Sequence, residues 1–91
     1  MKPRLGRTVY CVYENSISVE EVGFLGHDSF IVYDFSDLKE FNALQWFYED
    51  YQRTWFTSLA RAKKKLLLNQ GEGEKLKVVK ISDTYYEVQS E

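Results

Sequence analysis

The chain is poor in cysteine, in histidine and in long apolar runs, and each scarcity excludes something. Cys11 is the only cysteine, so no disulfide can form within the chain, and a reducing, cytoplasmic setting is the natural expectation. His27 is the only histidine, and one His with one Cys cannot alone make a Cys/His zinc site. The acidic residues lack the spacing of a calcium loop. Neither metal nor cofactor is therefore expected. No stretch approaches the roughly 20 apolar residues of a membrane helix. The opening MKPRLGRTVYCVYENS has bases but no apolar segment of signal-peptide length. A P-loop, a dinucleotide-binding fingerprint and a nucleophile elbow are all missing.

Aromatic side chains are abundant instead. Seven Tyr, six Phe and two Trp make up 16% of the chain, which argues against disorder. Rings bury much area each and suit a small core. The 91 residues make one domain, spanning 1–91. A chain of this size buries roughly 60–65% of its unfolded surface. That suffices for one core and leaves little material for a deep cleft.

The net charge of −2 conceals a polarity along the chain. Residues 1–13 carry +3, residues 14–50 carry −8, residues 51–80 carry +6 and residues 81–91 carry −3. Whether this becomes two faces depends on the fold.

TVYCVY (8–13) reads as a strand that is apolar on both faces, with Val9, Cys11 and Tyr13 on one and Tyr10 and Val12 on the other. Glu14-Asn15-Ser16 is turn chemistry. ISVEEVGFLG (17–26) reads as a second strand, and Glu20-Glu21 breaks its alternation as a bulge would. Gly26-His27-Asp28 reads as a hairpin turn into SFIVYDF (29–35), which completes a three-stranded meander. Asp37 with Glu40 suits a capping box and a short helix at about 36–42. Residues 45–56 then read as a strand pair turning at Asp50-Tyr51-Gln52. The apolar spacing of Leu38, Phe41, Leu44, Tyr48 and Tyr51 also fits one continuous helix over 37–52. Thr57 or Ser58 is the expected N-cap of a principal helix at about 58–69, with Leu59, Ala62 and Leu66 on its apolar stripe. Asn69-Gln70-Gly71 ends it. KLKVVKI (75–81) and TYYEV (84–88) form a closing hairpin around Ser82-Asp83. The expected fold is α+β: a small, strongly bent antiparallel sheet, close to a partly closed barrel, with the principal helix packed on it.

Residues of chemically capable types read mostly as structural. His27, Asp28 and Ser29 are adjacent in a turn and point apart, unlike a triad. Cys11 sits in an apolar strand and reads as a core thiol. A loop holding Glu72 and Glu74 would repel phosphate. No enzymatic activity is expected. Two binding surfaces stand out. Arg61, Lys63, Lys64 and Lys65, with Lys75 and Lys77, could contact phosphates, with Trp46, Trp55, Tyr85 or Tyr86 stacking on bases; against this stands the acidic isoelectric point of about 5.4. The acidic stretch interleaves carboxylates with rings: Glu20, Glu21, Asp37, Glu40, Trp46, Tyr48, Glu49, Asp50 and Tyr51. Such a mixture suits a protein partner with a basic surface.

TVYCVYENSI, VGFLGHDSFIVYDF, WFYEDYQRTWFTSLARAKKKLL and KLKVVKISDTYYEV together resemble a group of small uncharacterised proteins from phages and mobile elements of Gram-positive bacteria. In that group an aromatic pair leads through Thr/Ser into a Leu-x-x-Ala-Lys helix, matching Trp55-Phe56-Thr57-Ser58-Leu59 and Ala62-Lys63. The resemblance implies no catalytic residues. It implies a mobile-element accessory protein, a category that includes anti-CRISPR inhibitors of host defence complexes. The sequence thus favours a non-catalytic module binding a host protein, with nucleic-acid binding through the basic helix as the alternative.

Overall fold

The computed structural model describes residues 1–34, 42–71 and 75–91. Strand β1 (Thr8–Val12) explains why TVYCV is apolar on both faces, because it lies between two cores. Val9 and Cys11 enter a first core with Val22, Phe30, Val32 and Trp55. Val12 enters a second with Ile17, Phe56, Ala62, Leu66 and Tyr86.

Strand β2 (Ser16–Leu25) is long and shared. It pairs antiparallel with β1 from Thr8↔Glu21 to Val12↔Ile17. Further along it pairs with β3 (Ser29–Asp34) through Val22↔Val32, Phe24↔Ile31 and Leu25↔Phe30. The expected meander is present. Its irregularity, however, falls between Val22 and Phe24, not at Glu20-Glu21. Glu20 and Glu21 stay in register with Val9 and Thr8. Gly23 supplies the break: it has no side chain, and the Tyr33 ring lies where its Cβ would be.

Strand β4 (Asn42–Phe47) pairs with β3 in unbroken register from Ser29↔Phe47 to Asp34↔Asn42. A single 3-10 turn, Tyr48–Asp50, follows it. Strand β5 (Trp55–Phe56) then pairs with β1, through Tyr10↔Phe56 and Cys11↔Trp55. Residues 45–56 are therefore not a hairpin, and residues 37–52 are not one helix. The two strand segments find different partners because Trp55 gains complete burial against Phe30, edge to face at 4.8 Å. The helix expected at 36–42 lies outside the described residues except Asn42, which begins β4.

Helix α1 (Leu59–Asn69) starts where the hydroxyl signal indicates, with Ser58 accepting the Arg61 N–H. Ala62 and Leu66 are buried and Leu59 packs partly against the same core. Gly71 takes a left-handed φ of 86° just past the helix. Strands β6 (Leu76–Ser82) and β7 (Tyr85–Ser90) form the closing hairpin. β7 pairs in turn with β2 through Ser16↔Glu87, Ile17↔Tyr86 and Ser18↔Tyr85.

The main path of the sheet runs β4-β3-β2-β1-β5, and β7 and β6 branch from β2. This sheet curls into a half-barrel, with α1 packed over β1, β2, β5 and β6. The Trp55 indole N–H donates to the Phe47 carbonyl at 2.7 Å and so ties the two ends of the path together. The fold is α+β and dominated by antiparallel sheet. Among the described residues no helix is long and apolar enough to cross a membrane.

Candidate interaction surfaces

The acidic and aromatic set divides. β4 and the turn after it gather Trp46, Tyr48, Glu49, Asp50 and Tyr51 at one end of the sheet. The three rings face inward and pack against the first core. Trp46 meets Tyr13 edge to face at 5.6 Å. Tyr48 stacks on Phe30 at 6.1 Å and its hydroxyl donates to the Gly26 carbonyl at 2.8 Å. The Tyr51 and Thr57 hydroxyls share a hydrogen bond of 3.0 Å. These rings are supports, each half-buried. The Trp46 indole N–H is buried and has no acceptor among the described residues. Glu49 is exposed, and Asp50 forms a loose pair with Arg53 at 3.8 Å, a contact of small energetic weight at a surface.

Glu20 and Glu21 lie elsewhere, in the fork where β7 and β3 share one edge of β2. They line a cleft of about 370 Å³ with Thr8, Val19, Val22, Gly23, Tyr33 and Thr84. Glu20 accepts a hydrogen bond from the Ser18 hydroxyl. Asp37 and Glu40 lie outside the described residues. Two exposed apolar residues share one face near the Glu49 end of the sheet and were not chosen as site residues by sequence, Phe24 at 52% and Phe47 at 39% exposure, while Leu44 at 36% lies on the opposite face. Strand alternation was the signal that could have found Phe24 and Phe47, once the register with β3 was known.

The basic set divides as well. Arg61 and Lys64 are exposed on α1, whereas Lys63 and Lys65 are half-buried. The Lys63 ammonium lies 5.1 Å from the Tyr86 ring centre, a cation–π contact that uses this lysine within the fold. Lys75 and Lys77 are exposed. Lys77 neighbours Val78, which faces the helix core, so alternation turns Lys77 to the opposite side of the sheet. One phosphate track cannot follow both. Lys80 sits 3.1 Å from Asp83, and the hydrogen bond and charge of that carboxylate raise its pKa. Trp55 is sealed from solvent and Tyr86 nearly so, which removes both as stacking platforms.

A different basic grouping emerges from the fold. Arg4 and Arg7 line a shallow hollow of about 230 Å³ with Met1, Pro3 and Thr57. The Tyr51 hydroxyl is held below its ordinary pKa, first by its hydrogen bond with Thr57, then by Gln52, then by the charges of Arg61 and Arg7. Arg7 lines the hollow and Arg61 does not, and neither has an ion-pair partner among the described residues. No local pattern in the sequence joins positions 7 and 57.

Cys11 is fully buried. Burial pushes its thiol well above the ordinary range, and the nearby Glu20 charge adds to this. It is a neutral core group. His27 is exposed in the turn between β2 and β3. Among the described residues no three His, Cys, Asp or Glu side chains gather as a metal site would require. Comparison with protein-family models, curated proteins and solved structures finds no match to this chain.

Proposed function

We propose that this protein is a non-catalytic interaction module whose acidic end, built from β3, β4 and the turn after β4, binds a partner protein with a basic surface. One observation carries the reading. Exposed Phe24 and Phe47 lie on one face at this end of the sheet, near exposed Asp28 and Glu49, and no lysine or arginine occurs between Arg7 and Lys39 or between Lys39 and Arg53. Exposed rings beside carboxylates suit a protein contact, the rings supplying area and Asp28 and Glu49 favouring a basic partner, although two cations also reach this end: Lys2 lies 5.9 Å from the Tyr48 ring centre and Arg53 pairs loosely with Asp50. The resemblance in sequence suggests the setting, that of a phage or mobile-element accessory protein acting in the cytoplasm on a host protein, including a component of a CRISPR-type defence complex.

The test is cross-linked capture from a Gram-positive host lysate, identification of the captured protein, and calorimetry with that protein purified. Phe47→Ser combined with Glu49→Lys serves as the comparison. The expected result is salt-sensitive binding to the wild type and binding at least roughly tenfold weaker to the variant. Equal affinities for both would refute the assignment of this surface.

A second reading has its own support in the hollow that Arg4 and Arg7 line with Thr57. Nucleic acid bound there would show salt-sensitive anisotropy with labelled DNA or RNA. Binding lost in Arg7→Glu but retained after Lys64→Glu with Lys65→Glu would favour the arginine site over the lysine run of α1.

A further inference from the structure

We infer that the outer edge of β4 is a strand-addition site, which accepts an extended segment of the partner protein flanked by lysine or arginine. This rests on the protein-binding reading above and names the contact through which it works.

The edges of the sheet differ. β6 pairs only with β7, but it carries Lys77 and Lys80 and its register slips between Lys80 and Ser82. Charges and irregularities of that kind blunt an edge against further pairing. β5 is only two residues long. β4 has none of these guards. Its NALQWF sequence contains no charge, proline or glycine, and its register with β3 is unbroken over six pairs.

The backbone groups that face outward follow from one hydrogen bond. The Tyr48 N–H donates to the Asp28 carbonyl at 3.0 Å. Bonded pairs alternate along an antiparallel ladder, so Trp46 and Leu44 bond to β3, and the backbones of Phe47, Gln45 and Ala43 face away from it. The Trp55 indole already occupies the Phe47 carbonyl. The N–H groups of Ala43, Gln45 and Phe47 and the carbonyls of Ala43 and Gln45 are left without a partner among the described residues. An added strand satisfies such a row, and its alternate side chains lie beside Leu44 on one face and Phe47 on the other.

Charge selects the occupant. Exposed Asp28 and Glu49 stand at the Tyr48 end of β4, so an extended strand with an uncharged centre and basic flanks matches both the neutral β4 and these carboxylates.

The experiment is an amide NMR titration of the full chain with a short synthetic peptide alternating valine and threonine between flanking lysines. A glutamate-flanked peptide of the same centre is the control. Gln45→Pro is the decisive variant: the Gln45 N–H points away from β3, so proline removes a docking donor without removing a ladder bond. The expected result is shifts concentrated at Ala43, Gln45 and Phe47, weakened by salt, absent with the glutamate peptide, and roughly tenfold weaker in affinity for Gln45→Pro. No shifts with the lysine peptide, shifts centred elsewhere, or equal affinity for Gln45→Pro would overturn the proposal. Concentration-dependent dimerisation lost in Gln45→Pro would overturn the occupant in favour of a second copy. A captured partner that binds wild type and Gln45→Pro equally would sink the β4 site while leaving the protein-binding reading intact; capture of no partner by either protein would sink that reading itself.

Discussion

Gly23 tests most directly how the sheet achieves its bend. A Cβ added there would collide with Cδ2 and Cε2 of the Tyr33 ring. These are ring atoms close to the strand, so a small side-chain swing does not relieve the overlap. Gly23 has no positive φ, so the backbone itself accepts alanine. Two opposing terms follow. Overpacking costs about 1–3 kcal/mol, while replacing glycine by alanine gains about 0.5–1 kcal/mol through the unfolded chain. Gly23→Ala alone should therefore destabilise by about 1–2 kcal/mol, which lowers Tm by several degrees in a domain of this size. With Tyr33→Ala already present the clash is gone, and adding Gly23→Ala should instead stabilise by about 0.5 kcal/mol. The assay is urea unfolding of the wild type, both single variants and the double variant. The sign reversal is the signature. A Gly23→Ala cost that is the same in both backgrounds would show that the ring is not what requires glycine.

Leu66→Ala should cost about 2–5 kcal/mol in thermal or urea melts, because Leu66 is fully buried in the second core; an unchanged melt would remove the helix from that core. The two tryptophans should respond unequally to phenylalanine. Trp55→Phe loses the hydrogen bond to Phe47 and leaves a gap in a sealed site, for about 2–3 kcal/mol, whereas Trp46→Phe removes a buried N–H that has no acceptor among the described residues and should change stability by less than about 1 kcal/mol. Cys11 gives a pH dependence. Its folded-state pKa is raised above the ordinary value of 9.0, so the unfolded chain holds fewer thiol protons above that pH. The stability it contributes is complete below 9.0 and falls as pH rises beyond it. Unfolding free energies between about pH 8 and pH 10 should slope downward more steeply for the wild type than for Cys11→Ala, and equal slopes would contradict the burial of the thiol.

Periodicity and hydroxyl chemistry specified the local elements of this protein. β1 was legible because Val9, Tyr10, Cys11 and Val12 leave neither face polar, and its place between two cores follows from that. α1 was legible because Ser58 caps it and Ala62 and Leu66 repeat at helical spacing. Both properties depend on residues within one or two turns of each other. Strand partnership does not. Residues 45–56 look locally like a hairpin, yet β4 pairs with β3 and β5 with β1, because the burial of Trp55 and the ladder to β3 reward distant pairings that no short window contains. Tertiary structure likewise decided the surfaces. It divided both sets of site residues chosen by charge, set Arg4 and Arg7 beside Thr57, and left outward backbone groups of β4 without partners among the described residues. Charge along a chain is a property of the sequence, but which backbone groups remain unpaired, and which side chains stand beside them, is set only when every strand has chosen its neighbour.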